Sequence, residues 1–454
     1  MKKVFALLAA LVMSLGVCSA MAEYTVNPDL ADTTTTLTLY GPSSWTTYED
    51  TEDFLTGITT PGYHVIVERW AELYPNVTLD IQAVGWDSWQ TAITTACLSG
   101  DVDIILHGAS MVDLTLDLTP YLEKDAQYAA SINQTAARLE TNNLGQYKQS
   151  GISFNVSPML MVLDKEIFEH YGVELPTENW TVYDMVEIAA KLTGTDPVTG
   201  EQTYGIQLQD MGANNLWFNF VKFADALGAT VYNYGTNPLD SEVNYLSDES
   251  IAAFQMLADI SQYCSPEAIE GVAVNQTLDG TNNWAMILRE GIGTYKETIE
   301  YGTADQYVFM TMPLCVAGRY EGQPIPYAGD GNLAIWKDTP DADIAWEFIK
   351  FMTSDTAMLQ YLVDTGVLPN NNEAIPMLVK VYDEEVVNAF MAAASAVPEN
   401  YNNATNYNMN NASFGATTTN LITAVDNVLK GVMTAQEAAQ FMQDGVDEYL
   451  AGLQ

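Results

Sequence analysis

The chain has 454 residues, with 59 acidic against 16 basic side chains and a formal net charge of -43. That excess excludes a nucleic-acid footprint, which needs a basic face, and argues against an anionic lipid surface. Its simplest consequence is solubility by self-repulsion, and the length exceeds what one hydrophobic core serves, so two domains are expected.

Lys2 and Lys3 precede an apolar run over 4–17, and Ala20-Met21-Ala22 is a small-x-small cleavage site, so 1–22 is expected to be a secretory signal peptide. The product is then exported, periplasmic or cell-surface. Leu15-Gly16-Val17-Cys18 is a degraded lipobox with a bulky Val17, which ranks cleavage after Ala22 ahead of a lipid anchor at Cys18. Residues 23–36, ending in four threonines, read as a flexible leader.

A strand over 37–40 follows, then an acidic loop over 48–54, a helix over 63–74 ended before Pro75, and a strand over 77–84. A helix over 86–98 and a strand over 102–106 complete a β-α-β-α-β rhythm, the pattern of an α/β sheet covered on both faces. The alternating GISFNVSPMLMVL, 151–163, is the first candidate crossing between domains. Helices follow over 164–171 and 182–192, the latter capped by Thr181, then a strand over 203–208 and helices over 214–227 and 247–264. Strands are expected over 284–288 and 307–310. The stretch 325–372 carries a Gly/Asp-rich loop, a strand over 333–336 and two helices. Helices near 375–394, 416–432 and 434–450 end the chain, with Thr434 and Glu437 spaced as a capping box.

Enzyme signatures are scarce. There is no HExxH, no Walker loop and no dinucleotide fingerprint opening a helix; Gly291-Ile292-Gly293 reads as a loop. His64, His107 and His170 fall in three different elements, so no metal site or cofactor is expected. Beyond Cys18 stand Cys97, Cys264 and Cys315, enough for at most one internal disulfide.

Several segments together resemble the extracellular solute-binding proteins of ABC importers, in the carbohydrate-binding group that includes the maltose-binding protein. They are WDSWQTAITTACLSGDVDII (86–105), GISFNVSPMLMVLDKEIFEHYGVELPTENWTVYDMVEIAAKLT (151–193), NWAMILREG (283–291), the stretch 325–372, and LKGVMTAQEAAQ (429–440). The resemblance implies an α/β, two-lobed periplasmic-binding-protein-like (type II) fold with a hinge and an interlobe ligand cleft. It implies lobe I at 37–153 plus 325–368, lobe II at 154–324 plus 369–454, a membrane permease partner, no catalysis and a monomer. The absent clear lipobox departs from a typical Gram-positive member.

A sugar asks for flat aromatic faces and planar polar groups, presented by loops at the carboxyl ends of strands. Ser44 and Trp45 follow the first strand, and His107 and Ser110 the third. Asp210, Asn214 and Trp217 follow the strand over 203–208, where related proteins present acidic and aromatic contacts. Arg289, Glu290 and Tyr295 follow the strand over 284–288, with Arg289 a fork donor for paired hydroxyls or a carboxylate. Asp330 lies near the second crossing. Rival readings are a polyamine receptor of the same architecture, an extracellular glycoside hydrolase or lyase using two of the many carboxylates, and a surface adhesin.

Overall fold

Buried Leu37 and Leu39 alternate with the more exposed Thr36, Thr38 and Tyr40, the two-residue period of a strand with one face on a core. The structure, a computed structural model, describes residues 24–52, 58–85, 88–106, 108, 111, 113–132, 139–141, 147–208, 216–233, 238–240, 242–271, 276–326, 328–329, 331–396 and 416–453. The signal-peptide segment and Cys18 lie outside them.

Strands β1 (Thr35–Pro42), β2 (Val77–Val84), β3 (Ile104–Leu106) and β4 (Ile152–Ser153) enter one sheet. The chain then leaves it for a second sheet built on β5 (Ser157–Asp164), flanked by β6 (Met286–Glu290) and β7 (Tyr307–Thr311), with β8 (Ala328–Gly329) on the start of β5. β9 (Asn332–Ile335) returns to the first sheet, whose order is β2-β1-β3-β9-β4.

Helices cover the first sheet on both faces. In α1 (His64–Leu73), Ile66 and Trp70 stand one turn apart and bury with Leu37, Leu39 and Phe348. In α2 (Trp89–Ser99), Trp89, Ile93 and Cys97 pack on the opposite face against Ile105 and Ala334. In the second sheet β5 is buried except at Ser157. One of its faces meets α3 (Val182–Lys191), α4 (Trp217–Ala226) and the last helix, Ala435–Gly452, through Met161, Met185, Phe220 and Met442. The other meets Ile292, Leu378 and Phe390.

Both expected caps form. The Thr181 hydroxyl accepts from the Asp184 N–H at 3.3 Å while Asp184 accepts from the Thr181 N–H at 2.8 Å. Thr434 and Glu437 do the same. The three cysteines are buried and free, with burial raising the Cys264 and Cys315 thiols to about 12.

Four expectations change. The leader is anchored: the buried Tyr24 hydroxyl donates to Glu347 Oε2 at 2.9 Å and meets Tyr74 Oη at 3.0 Å. The strand over 203–208 shrinks to Gln202–Thr203 plus single bridges from Tyr204 and Gln207. Gly205 is the reason, since its N–H donates to Thr193 Oγ1 at 2.9 Å and a Cβ there would lie 2.0 Å from the Ala189 carbonyl oxygen. The supposed loop 291–293 opens a helix, α5 (Gly293–Tyr301). Finally, Ile325 packs in the core of the second sheet, so the return crossing falls later, at Gly331.

Three crossings lie side by side. The Phe154 N–H donates to the Gly331 carbonyl at 2.9 Å, the Asn370 N–H to the Phe154 carbonyl at 2.9 Å, and the Val156 N–H to the Leu368 carbonyl at 2.9 Å.

Candidate functional site

Register decides which sheet edges face each other. Pro42 pairs with Val84 and Tyr40 with Ile105 in parallel, while Leu333 pairs with Leu106 and Asn332 with Ser153 in antiparallel fashion. The carboxyl ends of β1 to β4 and the amino end of β9 therefore share one edge. In the second sheet Glu290 pairs with Met159 and Thr311 with Leu160, so the carboxyl ends of β6 and β7 lie beside the start of β5. Residues 154–156 join the two edges. At about 3.5 Å per residue they hold Ser153 and Ser157 within roughly 14 Å of each other, so the strand ends of the two sheets stand as neighbouring walls.

On the first wall a tight turn presents Ser44 and Trp45. The Ser43 N–H donates to the Val84 carbonyl, and both the Trp45 and Thr46 N–H groups donate to the Pro42 carbonyl. Trp45 is 38% exposed, and its ring stands edge-on to Phe154 of the first crossing at 6.3 Å between centroids. The loop beyond is pinned to α1, where Asp50 Oδ1 accepts from the Gly62 N–H at 2.8 Å and lies 2.7 Å from His64 Nε2. That contact raises the His64 imidazole above its ordinary range, and the Gly62 N–H together with His64 lowers the Asp50 carboxyl.

On the second wall Glu290 is exposed at the end of β6, and Gly291 follows with φ +74°, a conformation that favours glycine. A Cβ on Gly291 would lie 3.5 Å from Ser157 Oγ, so this corner sits against the start of β5.

Three candidates are engaged in packing or pairing within the second sheet's surroundings. Trp217 is buried in the second core, its ring stacked on Phe218 at 3.8 Å. Tyr295 is 9% exposed and packs edge-on to Phe309 at 5.3 Å. Arg289 serves an internal pair: Nη2 donates to Glu297 Oε2 at 2.9 Å and Nη1 to the Gln276 carbonyl. His107, Ser110, Asp210, Asn214 and Asp330 lie outside the described residues, so Ser44, Trp45 and Glu290 are the described candidates brought to the two walls. Phe154 and Ser157 were missed. The alternation of GISFNVSP signalled their strand but not that it passes between the walls. A small cavity lined by Val156, Leu368, Ile375, Leu378 and Met391 lies beneath the third crossing and holds none of the candidates.

Residues 56–359 match the family model described as bacterial extracellular solute-binding protein. Among solved structures the chain is similar to an ABC substrate-binding protein from Listeria monocytogenes in complex with cycloalternan, at TM-score 0.65 and 18% identity over 92% of this chain and 99% of that one. It is similar to the maltose-bound MalE3 of T. maritima, at 0.66 and 16% over 92% and 100%. The sugar-binding protein MalE from Xanthomonas citri gives 0.67 and 15% over 92% and 98%. Identities this low speak for a shared fold.

Proposed function

The chain belongs to the bacterial extracellular solute-binding protein family, and from that premise we propose that it captures a carbohydrate, an oligosaccharide by preference, and delivers it to an ABC permease without altering it. The observation that carries this is the exposed Trp45 on a hydrogen-bonded turn, its ring against Phe154 of the first crossing between the sheets. An amphipathic ring there offers a flat face to sugar C–H groups at little entropic cost. The similar structures holding cycloalternan and maltose support the ligand class. Lobe I is taken as the first sheet with its helices and lobe II as the second, divided at the three crossings. Ligand spanning both walls shifts an open/closed equilibrium towards the closed form, which the permease recognises. The receptor acts as an exported monomer, released by cleavage after Ala22. With Arg289 engaged by Glu297, a neutral sugar suits the cleft better than a uronate.

Calorimetric titration of a chain starting at residue 23 with maltose, maltotriose, cyclic glucans and spermidine tests the function. One of the sugars is expected to bind and be recovered intact. Trp45→Ala is expected to weaken that binding at least tenfold, about 1.4 kcal/mol, while thermal stability holds because the ring is exposed. Preference for spermidine, or sugar cleavage by the purified chain, would remove the proposal.

A further inference from the structure

We propose that Asn155 is a positioning residue whose side-chain amide ties the two lobes together across the first crossing and sets the interlobe angle from which closure starts. The inference rests on the hinge-closing receptor proposed above and adds to it a residue that acts without touching ligand. The Asn155 amide looks both ways. Its Oδ1 accepts from the Gly331 N–H, one residue before β9 of the first sheet. Its Nδ2 donates to Ser157 Oγ at 3.2 Å, on the first residue of β5 of the second sheet.

The surroundings fix that geometry. A Cβ on Gly331 would lie 2.2 Å from the Phe154 ring and 2.9 Å from Asn155 Oδ1, so glycine is what lets the second crossing approach. Asn370 Nδ2 donates to the Ser153 carbonyl at 2.9 Å, a contact between the third crossing and the first sheet. The backbone bonds among the crossings join neighbouring segments, whereas the Asn155 amide reaches from one sheet's strand entry to the other's. Gly331 stands between Gly329, paired with Ser157 in the second sheet, and Asn332, paired with Ser153 in the first, so bending that moves Gly331 relative to Ser157 strains or breaks one of the two amide bonds. Phe154, next in the chain, carries the same movement to the Trp45 ring.

The test needs no ligand. Spin labels are placed on Leu98→Cys in the first lobe and Val432→Cys in the second, positions 82% and 68% exposed, with the three native thiols buried. Pulsed dipolar spectroscopy then reads the interlobe distance in the sugar-free chain. Ser157→Ala and Asn155→Ala are each expected to broaden the distribution and shift its mean by more than about 2 Å. The double variant should go no further than Asn155→Ala, because both changes break the same tie. Unchanged distributions in both single variants would overturn the proposal, as would a double variant that adds the two shifts. Should Asn155→Ala fail to fold, Ser157→Ala alone decides, since it removes only the Nδ2 bond at a partly exposed position. Failure of the parent chain to bind any sugar would count against the proposed function and leave this distance measurement intact.

Discussion

Trp70→Ala is expected to destabilise the core of the first sheet by about 4 kcal/mol, the range for emptying a buried tryptophan site. Trp70 is fully buried on α1, with ring centroids 4.5 Å from Tyr74, 5.2 Å from Phe348 and 5.4 Å from Phe351. Those last two rings belong to the helix Ala342–Ser354, which returns to the first sheet late in the chain. Removing Trp70 therefore loosens the contact between the early and the returning segment, and a void between three rings cannot collapse without moving a helix. The indole Nε1 has no hydrogen-bond partner among the described residues. Trp70→Phe should consequently recover most of the loss. Urea denaturation followed by far-ultraviolet circular dichroism measures both variants, and a loss under about 1.5 kcal/mol for Trp70→Ala would show that the cluster repacks.

Asp355→Ala is expected to cost about 3 kcal/mol, near the low end for breaking a buried pair. Asp355 is fully buried between two helices and works twice. Its Oδ1 accepts from the Ala357 and Met358 N–H groups, at 2.9 and 3.2 Å, capping the helix Thr356–Asp364. Its Oδ2 receives Arg69 Nη2 at 3.0 Å. Arg69 is 29% exposed and can regain water, which keeps the cost from the upper end of that range. Asp355→Asn preserves the cap and weakens only the ion pair, so about 1 kcal/mol is expected. Equal losses in the two variants, read by the same denaturation, would assign the whole effect to the charge and contradict the capping role.

The elements most legible in the sequence were those whose signal is local. The strand Val77–Val84 matches its alternation end to end, and α1 stops before Pro75 as its apolar spacing and the proline require. Thr181 and Thr434 sit where short-range side-chain bonds to the backbone fix a helix start. Long-range contacts were not legible. Tyr24 looked like part of a solvated arm because its partner Glu347 lies 323 positions away. The site was read less well than the fold for a related reason. An aromatic after a strand has the same sequence signature whether its ring stays exposed, as at Trp45, or enters a core, as at Trp217 and Tyr295. Arg289 looked available because Glu297 sits on α5, a helix that a Gly-Ile-Gly start concealed. The resemblance to extracellular solute-binding proteins, drawn from segments spread along the chain, is borne out by the family match over residues 56–359.

The central claim is that a carbohydrate draws two lobes together about the crossings near Asn155, Gly331 and Pro369. Small-angle X-ray scattering of the chain from residue 23, with and without a sugar that calorimetry shows to saturate it, tests this most directly. A smaller radius of gyration in the saturated protein is predicted, with the sugar recovered unchanged. An identical scattering curve at saturation would contradict the account.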